Sequence, residues 1–166
     1  GKEAINYVDS RTLKYYNDLA EVVKYADSLK IDLLPIMDKI VILSVRQGAT
    51  NEEIRNMNGT DLFVYAVKNG ILGKGSVGYT IGDVSIDSNI AKGKLVIEEE
   101  STEAYLSFYI EQQKWKLDFT SVFYYMNIIL KEVIESVGLS DNEYILMLLG
   151  NIRGKKPGSK IWQPVL

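Results

Sequence analysis

The stretch TEAYLSFYIEQQKWKLDFTS, residues 102–121, decides the fold. Ala104, Leu106, Phe108 and Ile110 fall on one parity, and Tyr105, Ser107 and Tyr109 on the other. Beyond the polar Glu111-Gln112-Gln113-Lys114, Trp115, Leu117 and Phe119 oppose Lys116, Asp118 and Thr120. A period of two belongs to a strand, whose successive side chains point to opposite faces. The stretch therefore predicts two strands with a polar connection, each offering one apolar face to a core. Asp118 falls on the outer face, a poor place for a general base, because a catalytic carboxylate needs burial to raise its pKa.

Working back toward the N-terminus, the alternation continues through IAKGKLVIEEE (90–100) and VGYTIGDVSID (77–87), with Asp87-Ser88-Asn89 as the turn between them. Val77, Tyr79 and Ile81 share a parity that Val84 and Ile86 do not. A bulge at Gly82-Asp83 reconciles them, curves the sheet, points Tyr79 inward and re-aims Asp83.

Before Gly70 the period is 3.6. Leu13, Tyr16, Ala20 and Val23 make one stripe of a helix capped by Asp9 or Ser10 and running through Asp27. Pro35 is tolerated only in a first turn, so a second helix begins near Leu34 and ends at Gly48. Thr50 and Glu53 form a capping-box pair. Asn58-Gly59 breaks that helix, Thr60 caps the next, and Gly70 suits its left-handed end. After residue 120, one helix starts at Thr120 or Ser121. Another starts at the Ser140/Glu143 pair and runs to about Gly150. Helices followed by strands signal an α+β fold: N-terminal helices on a curved antiparallel sheet of about four strands, with two extra C-terminal helices. Residues 1–166 read as one domain, with a core over 7–120, a helical extension over 121–150 and a tail over 151–166. In that tail Gly-Lys-Lys-Pro-Gly-Ser-Lys reads as flexible, and Trp162 docks on the domain or on a partner.

Composition removes several functions. The net charge of −3 argues against nucleic-acid binding. The chain has no cysteine and no histidine, which excludes thiolate chemistry and the commonest general base and metal ligand. No apolar run is long enough to span a bilayer. The chain opens on Gly-Lys rather than Met, which reads as a trimmed start and favours export after loss of a signal peptide over a cytoplasmic location.

Apparent motifs dissolve on inspection. Gly-Lys-Gly-Ser-Val-Gly, residues 73–78, has the G-x-G-x-x-G spacing. A dinucleotide loop must leave a strand and open a helix, whereas this one leaves a helix and opens a strand. It reads as a turn. Ser140-Asp141-Asn142 lacks the companion motifs of serine β-lactamases and reads as a helix cap. Glu98-Glu99-Glu100 reads as a solvated hairpin end rather than a metal site, because neighbouring strand residues point to opposite faces.

The residues YYNDLAEVVKYADSLKIDLLPIMD (15–38) and the EQQKWKLDF strand (111–119), with the element order between them, resemble the nuclear transport factor 2-like, or ketosteroid-isomerase-like, superfamily. Gln113 stands where that family's Lys-Trp strand is usually preceded by Gly. The resemblance covers roughly residues 7–120 and implies a cone, a bent sheet wrapped around helices with a pocket at its open end. The family holds isomerases, dehydratases, ligand binders and interaction modules, so fold does not fix function. Its enzymes use inward Asp, His or Tyr groups; with no histidine and no acid placed firmly inward, binding is favoured over catalysis here.

The expectation is a non-catalytic domain whose pocket, lined by Tyr16, Tyr79, Phe108 and Trp115, takes a small apolar ligand or a partner without cofactor or metal. The rival is an isomerase- or dehydratase-like enzyme with Asp83 or Asp38 as base and a tyrosine hydroxyl as oxyanion donor. A third reading is an interaction module, pairing as a homodimer through outer-face Tyr105 and Tyr109 or through the Trp162 tail.

Overall fold

The computed structural model describes residues 1–72 and 79–166. Residues 73–78, and with them the turn reading of Gly-Lys-Gly-Ser-Val-Gly, lie outside the described residues.

Local chemistry sets the helix boundaries. Helix α1, Ser10–Tyr25, is capped by Asp9, whose carboxylate accepts the Thr12 N–H at 2.9 Å. It stops short of Asp27, because Asp27 caps α2, Ser28–Asp32, by accepting the Lys30 N–H at 2.9 Å. The helix expected through Asp27 thus ends at Tyr25. Helix α3, Ile36–Gly48, follows Pro35, and α4, Asn51–Asn56, carries the complete Thr50/Glu53 capping box. Helix α5, Gly59–Lys68, is capped by Asn58 rather than Thr60, since Asn58 and Asp61 form a second box. Gly70 takes the left-handed conformation expected of it, at φ 68°.

Four strands follow: β1 Tyr79–Asp87, β2 Ile90–Ile97, β3 Glu100–Glu111 and β4 Lys114–Asp118. They form a curved, open antiparallel sheet in the order β1-β2-β3-β4, and the fold is α+β as expected. The register shifts between Ile81 and Val84, so the Gly82-Asp83 bulge is present. It brings Tyr79, Ile81, Val84 and Ile86 onto one face with their partners Ile97, Leu95, Gly93 and Ala91. The outer edge of β4 is covered by the start of the chain: Asp9 donates to the Leu117 carbonyl at 3.0 Å, and Leu117 donates to that of Tyr7 at 2.8 Å. Strand β1 is the other edge, and all its residues are exposed. Helices α6, Thr120–Ser136, and α7, Asp141–Arg153, follow the sheet, the latter with the Ser140/Glu143 capping box.

The core sits among the helices. Every residue of α3 from Ile36 to Arg46 is buried, because α1, α5, α6, α7 and the C-terminal segment surround it. Buried Arg46 donates to the carbonyls of Val22, Val23 and Ala26, at the C-terminal end of α1, and to that of Ile161, at 2.7–3.2 Å. A cation at a helix C-terminus meets the negative end of the helix dipole. Burial lowers its pKa to about 10, which still leaves it charged near neutrality.

Further contacts anchor the C-terminal tail. Ile161 is buried, Trp162 packs on the domain's own core, and Gln47 holds the Lys155 carbonyl at 3.0 Å. The N–H groups of Val165 and Leu166 both reach the Lys24 carbonyl. No helix among the described residues is long and apolar enough to cross a membrane.

Candidate functional site

Strand β4 passes directly into α6. The Asp118 carboxylate accepts from the Thr120 N–H at 3.0 Å and hydroxyl at 2.6 Å, which fixes the start of the helix. Further along, Asn127 of α6 accepts the Met37 N–H at 2.9 Å and so caps α3, whose own N-cap position is a proline. These two anchors hold α6 against α3 and beside the concave sheet face. A cavity of about 440 Å³ remains between them.

Leu95, Leu106 and Leu117 of the sheet line this cavity, and Tyr79 and Ile81 close it on the β1 side. Val122, Phe123 and Met126 of α6 form the opposite wall. The lining is predominantly apolar with few polar groups, and its volume falls in the range usual for small-molecule sites. A broader depression of about 700 Å³ lies beside Glu143, Lys155 and Lys156, but it is open to solvent and gives a ligand little burial.

Of the four residues expected to line a pocket, Tyr79 does so. Tyr16 is fully buried in an aromatic cluster, with its ring 5.2 Å from that of Phe63. Phe108 lies over Gly93, where its ring edge stands 3.7 Å from the position a Cβ would take. Trp115 is 41% exposed and lies outside the cavity lining. The helices cover only part of the inward sheet face. Outer-face Tyr109 is not open either, since the Arg11 guanidinium stacks 3.5 Å over its ring, while Tyr105 remains exposed.

The two candidate acids separate sharply. Asp83 sits in the exposed bulge of β1. Asp38 is buried and accepts a hydrogen bond from the Tyr15 hydroxyl. The structure thus contains the inward acid that sequence reasoning did not place. Burial raises the Asp38 pKa, and the Tyr15 hydrogen bond partly opposes the rise. Burial and the Asp38 carboxylate push both Tyr15 and Tyr16 well above the usual phenol range. The Tyr16 hydroxyl is buried with no hydrogen-bond partner among the described residues. Phe123 adjoins both this group and the cavity: its ring is 5.5 Å from that of Tyr15 and 6.4 Å from that of Tyr16, and it lines the cavity wall. A sequence signal for Asp38 existed. Ile-Met-Asp-Lys-Ile-Val-Ile-Leu-Ser-Val, residues 36–45, has apolar residues on every side of a helix, so any acid within it is buried.

Among the described residues no three acidic side chains converge as a metal-ion site. Glu98 and Glu99 form a two-residue turn, with both residues left-handed at φ 51° and 69°. Comparison with protein-family models, curated proteins and solved structures finds no match to this chain.

Proposed function

We propose that this protein binds a small apolar ligand in the cavity between the concave sheet face and α6. The observation that carries the reading is the 440 Å³ space itself, walled by leucine, phenylalanine and methionine side chains between the sheet and α6. Transfer of an apolar body from water into such a site contributes about 25 cal/mol per Å² buried. The Tyr79 hydroxyl and ring supply a polar handle at its edge. The resemblance to the nuclear transport factor 2-like superfamily, whose pocket opens at the end of a bent sheet, supports the same reading.

Titration with decanol, followed by calorimetry, tests it. Wild type should show saturable binding. Leu106→Trp should fill the cavity and abolish binding while keeping the helical circular dichroism, and Leu106→Ala should accept a longer alcohol. Absence of saturable binding by the wild type, or equal binding by a folded Leu106→Trp protein, sinks the reading.

The Asp38–Tyr15 hydrogen bond beside the cavity wall favours a second reading, in which Asp38 moves a proton on a bound carbonyl compound and a phenol stabilises the oxyanion. Its requirement is displacement of Phe123. Deuterium exchange at the α-carbon of a bound ketone, followed by NMR, should then occur with wild type and vanish in Asp38→Asn; no exchange with wild type removes this reading.

A further inference from the structure

We propose that the free edge of β1 pairs with β1 of a second copy of this chain, joining two sheets into one about a two-fold axis at Gly82-Asp83. The strand order leaves the sheet two edges. The start of the chain covers β4 through the Val8–Leu117 bridge, whereas among the described residues β1 pairs only with β2. An edge strand carries alternate N–H and C=O groups that lack a ladder partner. One open edge per copy gives an assembly that closes at two chains and does not grow into a filament.

Strand β1 is self-complementary in one register. Antiparallel pairing about Gly82-Asp83 sets Tyr79 against Ile86, and Ile81 against Val84, of the other copy. It also sets Thr80 against Ser85. Such a register matches odd positions with even ones, yet residues opposite each other must share a face. A regular strand cannot meet that condition. The bulge meets it, because its extra residue brings Val84 and Ile86 round to the face of Tyr79 and Ile81. At the axis Asp83 faces a glycine, which leaves room for its side chain. Lys94, which lies opposite the bulge on β2 of each copy, brings a cation to the two carboxylates.

The area suits a second copy. Tyr79, Ile81, Val84 and Ile86 are 40, 49, 55 and 65% exposed. Each offers about 100 Å² of side chain. Pairing would cover about 800 Å² of apolar surface over both copies, and the strand edges bring the total to roughly 1,200 Å², the lower end of specific interfaces. A dimer of that size is weak, with a dissociation constant of about 50 μM.

Sedimentation velocity between about 5 and 500 μM tests the pairing. Wild type should pass from monomer to dimer across this range. Val84→Lys sets an ammonium against Ile81 of the other copy and should weaken the dimer about tenfold or more. Tyr105→Lys, at an exposed residue of the outer sheet face, should leave it unchanged. The chain has no cysteine, so a Thr80→Cys/Ser85→Cys double variant reports the register. The two positions lie about 15 Å apart along one strand, too far to join within a chain. Across the axis they face each other and should form an intermolecular disulfide under oxidised glutathione, whereas neither single variant should. A wild type that stays monomeric at every concentration overturns the proposal. So does a dimer that Tyr105→Lys weakens as much as Val84→Lys does. Single variants that cross-link as fast as the double variant show another register and overturn it too.

Discussion

Helix α3 and strand β1 are both rich in branched aliphatic residues, yet their environments are opposite. From Ile36 to Arg46 every α3 residue is buried, including an aspartate, a lysine and an arginine. From Tyr79 to Asp87 every β1 residue is exposed, including two isoleucines and a valine. The core of this protein is made by helices around a helix, and the sheet contributes mainly through Ala91, Leu95 and Ala104 of its inner strands. Apolar character alone therefore says nothing about which element is central. In α3 it reflects packing against the rest of the domain. In β1 it leaves an apolar surface beside a cavity, which is the property a binding face needs.

The sharpest way to break this comparison is to truncate both elements. Leu43→Ala in α3 should lower unfolding free energy by about 2–5 kcal/mol, because a fully buried leucine leaves a cavity. Ile86→Ala in β1, at 65% exposure, should change it by about 0.5 kcal/mol or less. Urea unfolding of the two variants checks both, and equal losses would show that β1 is packed as tightly as α3.

Arg46→Met should cost about 3 kcal/mol, since it takes a donor from four carbonyl oxygens, of which that of Val22 keeps the Ala26 N–H. Limited proteolysis should then cut the released segment after residue 154. Arg46→Lys should not restore resistance, because an ammonium lacks the planar fork that reaches separate carbonyls.

Gly59→Ala extends the comparison to helix packing. An added Cβ would stand 2.3 Å from the Asn17 backbone nitrogen, so α1 and α5 must separate. A loss of about 1–3 kcal/mol in thermal unfolding is expected. The sheet half should respond in the other direction. Replacing Gln112-Gln113 by Asn-Gly relieves two left-handed non-glycine residues and should stabilise by about 1 kcal/mol.

The smallest effect is a pH dependence. The Asp38 pKa is raised in the fold, so its contribution is fully present below the unfolded value near 3.8. That contribution is lost as pH rises through the folded value, because the unfolded chain releases this proton first. Asp38→Asn has no proton to lose, so its stability relative to wild type should increase from pH 4 toward neutrality. The lowered pKa values of Glu53, Glu111 and Glu143 act with the opposite sign in both proteins and cancel in the difference. A flat difference across this range would place Asp38 in a solvated environment.

Much of the fold was legible because its determinants are local. The Thr50/Glu53 and Ser140/Glu143 capping boxes, the period-two stretches and the Gly82-Asp83 bulge were all read from residues a few positions apart. The errors have local causes too: Asp27 reads equally well as the end of one helix and the cap of another, and Asn58-Gly59 reads as a breaker although it starts α5. The site was less legible. Tyr79 lines the cavity, but Tyr16, Phe108 and Trp115 share its inward character without reaching it, because inward describes a face and not its cover.

The sequence by itself determined the order of helices and strands, the faces of each strand and the chemistries that a chain without cysteine or histidine lacks. Those properties follow from side-chain period, caps and composition, which act over a few residues. Only the tertiary structure decided that Tyr15 meets Asp38, that Arg46 gathers carbonyls from α1 and the C-terminal segment, and that α6 leaves a cavity against the sheet. Those contacts join residues 20 to 115 positions apart, where the pattern along the chain carries no information about which surfaces approach.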